Sequence, residues 1–597
     1  MHLTRRRLTF AAVGAALLAV GVSLGSCGNA SGTSRPVLPT FAPVVPLTAV
    51  DVDRIIARAA AATDRTDVHI AVVDRTGGIL GAFNKAGAFT SGEDNIAVAL
   101  ARTTAFFSNS QAPLSSRTVE TLASFHFPPT FSSRLLSPRE WPNSAQLSSA
   151  LSFLAPRRTT TGIVGTPQGP LWQINSTNRG ADIATGATDP VTFFEPGADA
   201  FGPSTNIDGS TPSPGIVLLP GAVPLYKAGR LVGGVGVFVG SNFPDPVDLN
   251  GVTGPNVELA EFCAIEGASG REAQDGGDNY FLEIPSEGAI TIVGILLPYV
   301  KQVTRPAGTS RDTVPIGFAP GFSTPVDLRW RSFDLGGGQV DPFNFLIGPR
   351  EARYGTNQVD TNTLPVNERD ARRLTEADVR LIIDQVVESA NLTRAQVRLP
   401  LGSGAKVIAT VVDTRGLILA HFRMEDTLCD AVDVVPAKAR SVVYYCLPSS
   451  LPTSAAFNND VWPGFPTSDP RGVALTTRTL GFLSQPFFPP GIDENPPGPL
   501  YNLALANQLP GQIERWGNAP SDPGYQNGLT FFPGSVPLYK NGELVGALGV
   551  SGDGVEQNDL IAADGGRGFE PPPELRIDNF SFQGVRLPYL KFPETPR

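Results

Sequence analysis

Side chains able to bind a metal or move a proton are scarce in this chain, which has four histidines among 597 residues. One lies at the extreme N-terminus, leaving His69, His126 and His421. An imidazole is the usual neutral nitrogen ligand and the usual acid–base group near neutral pH. Tyr226 and Tyr539, each followed by a lysine, add two phenolic oxygens that either ligate ferric iron as tyrosinate or close a core as buried rings. Glu258 and Glu261, and likewise Glu556 and Asp559, recur at helical spacing, which suits a cation-binding face or a solvated acidic one. The run Ser551-Gly552-Asp553-Gly554 precedes an expected helix. Its backbone amides could cradle an anion, but Asp553 already puts a negative charge there and is expected to cap the helix. There is no Gly-x-Ser-x-Gly elbow, no His-Glu-x-x-His, no Gly-Lys-Ser/Thr loop and no Cys-x-x-Cys-His, so nothing in the residues argues for an enzyme.

The elements that must position these groups are announced by an internal repeat. Residues 221–237 and 534–550 are identical at 12 of 17 positions, so two copies of one domain are expected in tandem. Each copy opens on a threonine three residues before an aspartate, Thr48 with Asp51 and Thr375 with Asp378, a capping-box pattern. Val52, Ile55, Ile56, Ala59 and Ala60 then recur at helical spacing, as do Val379, Ile382, Ile383, Val386, Val387 and Ala390. Strands over 69–74 and 79–83, and over 408–413 and 417–423, flank glycine turns. Helices over 95–107 and 434–445 follow, and then the repeated hairpin, where Asn541-Gly542 is a strong type I′ turn signal and Ala228-Gly229 its weaker counterpart. Helices over 257–265 and 556–563 and matching Leu-Pro-Tyr tails close the two copies. The order predicts an antiparallel sheet with helices packed against it, an α+β domain occurring twice. Gly234 and Gly236, matched by Ala547 and Gly549, strip one strand face of side chains, admitting either a packed helix or a flat ligand.

No histidine is shared by the two copies: His69 aligns with Ile408, His421 with Ala82, and His126 with Phe487. A duplicated histidine-ligated site is therefore excluded. Cys429 and Cys446 flank the helix expected over 434–445, which at 1.5 Å per residue holds them too far apart to pair.

Three arginines at the start, an apolar run from Ala11 to Leu24 and the ending Leu24-Gly25-Ser26-Cys27 form an export signal that resembles the lipobox of bacterial lipoproteins. By that resemblance Cys27 is the lipidated first residue of a chain tethered to the membrane in the cell envelope, on the periplasmic or extracellular face. The expected organisation is a signal over 1–27, a tether over 28–46, a first domain over 47–303 with an insertion at about 108–215, a Pro/Gly-rich linker over 304–373 and a second domain over 374–597. A net charge of −10 and a pI near 5.1 argue against nucleic acid as a partner.

The second copy resembles the GlcG/HbpS-like haem-binding family. The matching residues are Val411-Val412-Asp413 with Gly416, Arg423-Met424, Lys438-Ala439-Arg440, Val536-Pro537-Leu538-Tyr539, and Leu544 through Gly552 with Gln557 after it. The first copy departs from the pattern, with Asn84-Lys85 in place of Arg-Met and Phe238 in place of the serine. The resemblance implies profilin-like domains that tend to oligomerise, and haem or a related tetrapyrrole as ligand. It makes His421, Arg423, Met424 and Tyr539 the candidate haem contacts, His421 as a nitrogen ligand and Arg423 as partner to a propionate. The other reading is a non-catalytic interaction module that binds a partner protein, or further copies of itself, through its insertions.

Overall fold

Both threonine boxes form, and each is tied to the repeated hairpin far away in sequence. Thr48 receives the Asp51 amide at 3.3 Å while the Asp51 carboxylate receives the Thr48 amide at 2.6 Å; Thr375 and Asp378 repeat this at 3.2 and 2.8 Å. The lysine after each hairpin tyrosine then reaches the same carboxylate, Lys227 to Asp51 at 2.6 Å and Lys540 to Asp378 at 2.7 Å. Despite partial burial, these lysines hold both carboxyls below the usual carboxylate range.

The computed structural model describes residues 44–591 except 76, 87–92, 125, 126, 128–164, 173, 175–215, 241–254, 283–287, 293, 294, 313–373, 401, 415, 417, 449–461, 463, 464, 466–469, 493, 494 and 502–529. In the first half, α1 (Ala49–Ala61), β1 (Val68–Asp74), β2 (Ile79–Asn84), α2 (Glu93–Phe107), α3 (Ser116–Leu122), β3 (Ala222–Lys227), β4 (Arg230–Val239) and α4 (Pro255–Ser269) precede a small ribbon of β5 (Ala289–Ile292) and β6 (Ile295–Pro298). The second half repeats the order with α5 (Glu376–Leu392), β7 (Val407–Asp413), β8 (Ile418–Arg423), α6 (Ala431–Cys446), α7 (Thr477–Leu483), β9 (Ser535–Lys540), β10 (Glu543–Gly552) and α8 (Val555–Gly565). The fold is α+β. Each half has a four-stranded antiparallel sheet, ordered β2-β1-β4-β3 and β8-β7-β10-β9.

Both hairpin turns carry two residues with positive φ, Ala228 and Gly229 in one and Asn541 and Gly542 in the other, as a type I′ turn requires. The bare strand faces are covered by helices. A Cβ on Gly236 would overlap the carbonyl oxygen of Ala97 on α2, and one on Gly549 would crowd that of Val435 on α6, so glycine lets helix backbone rest on the sheet. The other faces pack against α1 with α4 and α5 with α8, burying the aliphatic stripes of both first helices. Buried arginines tie helix to hairpin in both halves: Arg102 donates from Nε to the Gly77 carbonyl at 2.8 Å, and Arg440 to that of Gly416 at 3.0 Å. The Leu-Pro-Tyr tails dock on the short helices, where Thr118 donates to the Pro298 carbonyl at 2.9 Å and Thr479 to that of Pro588 at 2.7 Å.

The halves also share a core. Ile408, Cys429, Ala431 and Val435 join the cluster built by β1, β4, α1 and α2. The Cys429 amide donates to the carbonyl of Phe106 at the end of α2, at 3.1 Å. Cys263, Cys429 and Cys446 are free and buried, and Cys446 ends α6, in keeping with the expectation that it does not pair with Cys429. Residues 304–312, assigned to the linker, fold back on the first half, where Asp312 pairs with Lys85 at 2.9 Å. Cys27 and His126 lie outside the described residues.

Candidate functional site

The junction between β10 and α8 organises the chemistry of the second half. Gly554 occupies the N-cap of α8 and provides no side-chain cap. Asp553 does not cap the helix as expected; its Oδ2 receives Arg398 Nε at 2.5 Å and the Lys406 amide at 2.7 Å. Arg398 is fully buried and shared between Asp553 and Asp426, and a hydrogen-bonded pair of buried charges holds Asp553 more strongly than one cap would. Burial pushes the Asp553 pKa up, and the Arg398 guanidinium opposes the rise.

Lys438 arrives from the middle of α6. Its ammonium donates to the Pro533 carbonyl at 2.9 Å, the Val550 carbonyl at 3.1 Å and Ser551 Oγ at 3.0 Å. Burial pulls its pKa down to about 7 against the opposing charges of Asp430 and Asp559. Arg478, on α7, forks onto Asp559 at 2.8 Å and Glu556 at 3.1 Å. Its counterpart Arg117 makes a buried two-pronged pair with Glu261, both contacts at 2.7 Å. Glu261, Glu556 and Asp559 are therefore arginine partners, not the cation-binding or solvated face their spacing allowed. Among the described residues no cluster of three or more histidine, cysteine or acidic side chains could hold a metal ion.

These groups border a cavity of about 810 Å³ that neither half could form alone. Phe107, Leu114, Leu122, Trp172 and Leu297 wall it from the first half, and Leu428, Val434, Phe482, Phe531 and Leu590 from the second. Most of its surface is apolar, and its polar wall is Lys438, Ser551, Asp553 and Asn558 at the β10–α8 junction, with Arg478, Glu556 and Lys591 beside them.

His421, Arg423, Met424 and Tyr539 do not line this cavity. His421 and Arg423 share a face of β8, where His421 Nδ1 and the Thr410 hydroxyl hydrogen-bond at 2.7 Å. Burial, reinforced by Arg423, pushes the imidazole down to a pKa of about 3, so it is neutral at ordinary pH. Met424 belongs to the core under α5, and Tyr539 is buried in a separate cluster with Val442 and Leu480. Tyr226 takes the core-closing role, its hydroxyl donating to the Asn109 carbonyl at 2.8 Å. His69 is buried against Asp94 at 2.6 Å. Lys438 and Ser551, which line the cavity, are not among the candidate haem contacts that the sequence points to. The signal available was their difference from the first half, where Leu100 and Phe238 occupy the aligned positions.

No curated protein matches the chain. Among solved structures, similar chains include a PduOC:heme complex (22% identity, 32% of this chain and 92% of that one, TM-score 0.19). Another is the Klebsiella pneumoniae protein ORFY (21%, 34% and 93%, TM-score 0.20). A third is a double mutant of Streptomyces reticuli HbpS (17%, 35% and 96%, TM-score 0.19). The part of the chain that matches a described family is residues 374–566, and that family is the haem degrading protein HbpS-like one.

Proposed function

We propose that this protein holds one tetrapyrrole of haem size in the cavity between its two halves. The observation that carries the reading is the cavity itself: about 810 Å³, chiefly apolar, with every charged group of its described lining contributed by the second half. Small-molecule sites have this size and this distribution of polarity. The match of residues 374–566 to a family described as haem degrading supports the ligand class. Phe107, Trp172, Leu428 and Phe531 suit the faces of a flat ring, and Lys438, Arg478 and Lys591 suit its acid groups. Among the described residues the lining contains no histidine, cysteine, tyrosine or methionine, and the groups it offers a tetrapyrrole are those for its ring and its acid groups. Residues 1–27 support export and lipid anchoring through Cys27, which would place the site outside the cytoplasm.

Titration with haemin and with metal-free protoporphyrin IX, followed by absorbance and fluorescence, tests the reading. Both should saturate at one equivalent per chain, and Leu428→Trp, which puts a larger ring on the cavity wall, should weaken both. A His421→Ala, Arg423→Ala double variant should bind as the parent does; loss of haemin binding there, with Leu428→Trp still competent, would move the site to the β8 sheet.

A further inference from the structure

Among the described residues, every cation on the cavity wall except one pairs with a carboxylate. Arg478 pairs with Glu556 and Asp559, and Lys591 with Glu556 at 3.0 Å. Lys438 is 1% exposed and its three ammonium hydrogens go to two carbonyls and a hydroxyl, with no carboxylate within ion-pair distance among the described residues. Burial favours the neutral amine at such a place, and an anion that joins it favours the ammonium. Ser551 Oγ accepts one of those hydrogens, which leaves its own proton to donate. α8 starts on the same wall without a side-chain cap.

We propose that the Ser551 hydroxyl, backed by the Lys438 ammonium that donates to it, is the anchor for a carboxylate of the ligand, so that each chain takes one acid-bearing tetrapyrrole in one orientation, with an acid group at the β10–α8 junction. This deepens the cavity reading and rests on it. The first half cannot supply a second anchor. Leu100 and Phe238 occupy the corresponding places and pack with Ile96, Leu219 and Ala222 in a small apolar cluster. The groups facing Lys438 are Asp430 from its own helix, Arg478 from α7, Glu556 and Asp559 from α8, Asp553 at the junction and Lys591 from the tail. Arg478 and Lys591 offset two of those four carboxylates, and protonated Lys438 offsets a third, so the incoming carboxylate depends on the ammonium being charged. Because the ammonium is only partly populated near neutral pH, binding draws a proton from solvent, and affinity falls as pH rises above about 7.

The test compares protoporphyrin IX with its dimethyl ester on the full chain, with Lys438→Met and Ser551→Ala, by fluorescence titration and by calorimetry in two buffers of different ionisation enthalpy. A charge-assisted contact should make the ester bind about tenfold weaker or more. Lys438→Met should bring the diacid to the level of the ester and leave the ester unchanged, and diacid binding should show net proton uptake. Equal affinities for acid and ester in the parent protein would overturn the anchor and leave the cavity reading standing. Binding of neither would overturn the cavity reading itself. If Lys438→Met does not fold, the acid–ester comparison and the proton count on the parent protein still decide.

Discussion

Asp426 of the second half pairs with Arg75 of the first at 2.9 Å, and both side chains are buried. Arg398 joins the same carboxylate at 2.8 Å, and Ser110 donates its amide and its hydroxyl to it. One aspartate thus joins the first half's hairpin turn and the residues after α2 to the second half, beside the cavity both halves wall.

Removing Arg75 should therefore weaken the joint. Arg75→Met leaves Asp426 with a single guanidinium, and breaking a buried pair from one side costs about 3–5 kcal/mol when nothing replaces it. Burial pushes the Asp426 carboxyl up, but Arg75 and Arg398 hold it down, at about 2. Its stabilising contribution is then present above about pH 4 and lost as pH falls through 2. Denaturant unfolding of the parent and Asp426→Asn from pH 6 to 2 should show the gap between them narrowing in that window; a constant gap would deny the pairing.

The helix resting on the glycine face gives a second expectation. Gly236→Ala should cost about 1–3 kcal/mol by overpacking, because the new methyl meets the carbonyl of Ala97 and the backbone of α2 has to shift. Gly229→Ala, in a turn with no atom within 4 Å of the added Cβ, is the control and carries only the penalty of a left-handed residue. Thermal melts that rank the turn variant as the more damaged would contradict the packing.

Lys438 should reveal itself in the pH dependence of stability without ligand. Its folded pKa lies near 7, below that of an unfolded lysine, so between pH 7 and about 10 the unfolded chain holds the extra proton and stability rises with pH. Lys438→Met should lack that rise while losing a pH-independent amount from the two carbonyls left without a donor. Parallel slopes for the two proteins between pH 7 and 10 would mean that the lysine is charged throughout.

Local elements were legible in the residues because their causes are local. The threonine boxes at Thr48 and Thr375 recruit an aspartate three positions on, Asn541-Gly542 sets its own turn, and aliphatic stripes mark the helix faces. Even the choice between a helix and a flat ligand on the Gly234–Gly236 face followed from the sheet's need for cover. The cavity was not legible. Its walls come from segments hundreds of residues apart, such as Phe107 and Phe531, and no periodicity records which loop of one half meets which helix of the other.

Acidic residues show the same division most sharply. Composition gave the count of carboxylates, and spacing placed Glu556 and Asp559 on one helix face. Only the tertiary structure determined that Arg478 would sit opposite them, that Asp553 would turn from its helix to Arg398, and that Lys438 would have no carboxylate partner among the described residues. The sequence by itself determined the elements and their repetition, since hydrogen bonding within a few residues and apolar periodicity suffice for those. The pairing of buried charges waited on tertiary packing, within the second half for Arg478 and Asp553 and between the halves for Arg75 and Asp426, because an ion pair forms between whatever groups packing removes from water together, however far apart they lie along the chain.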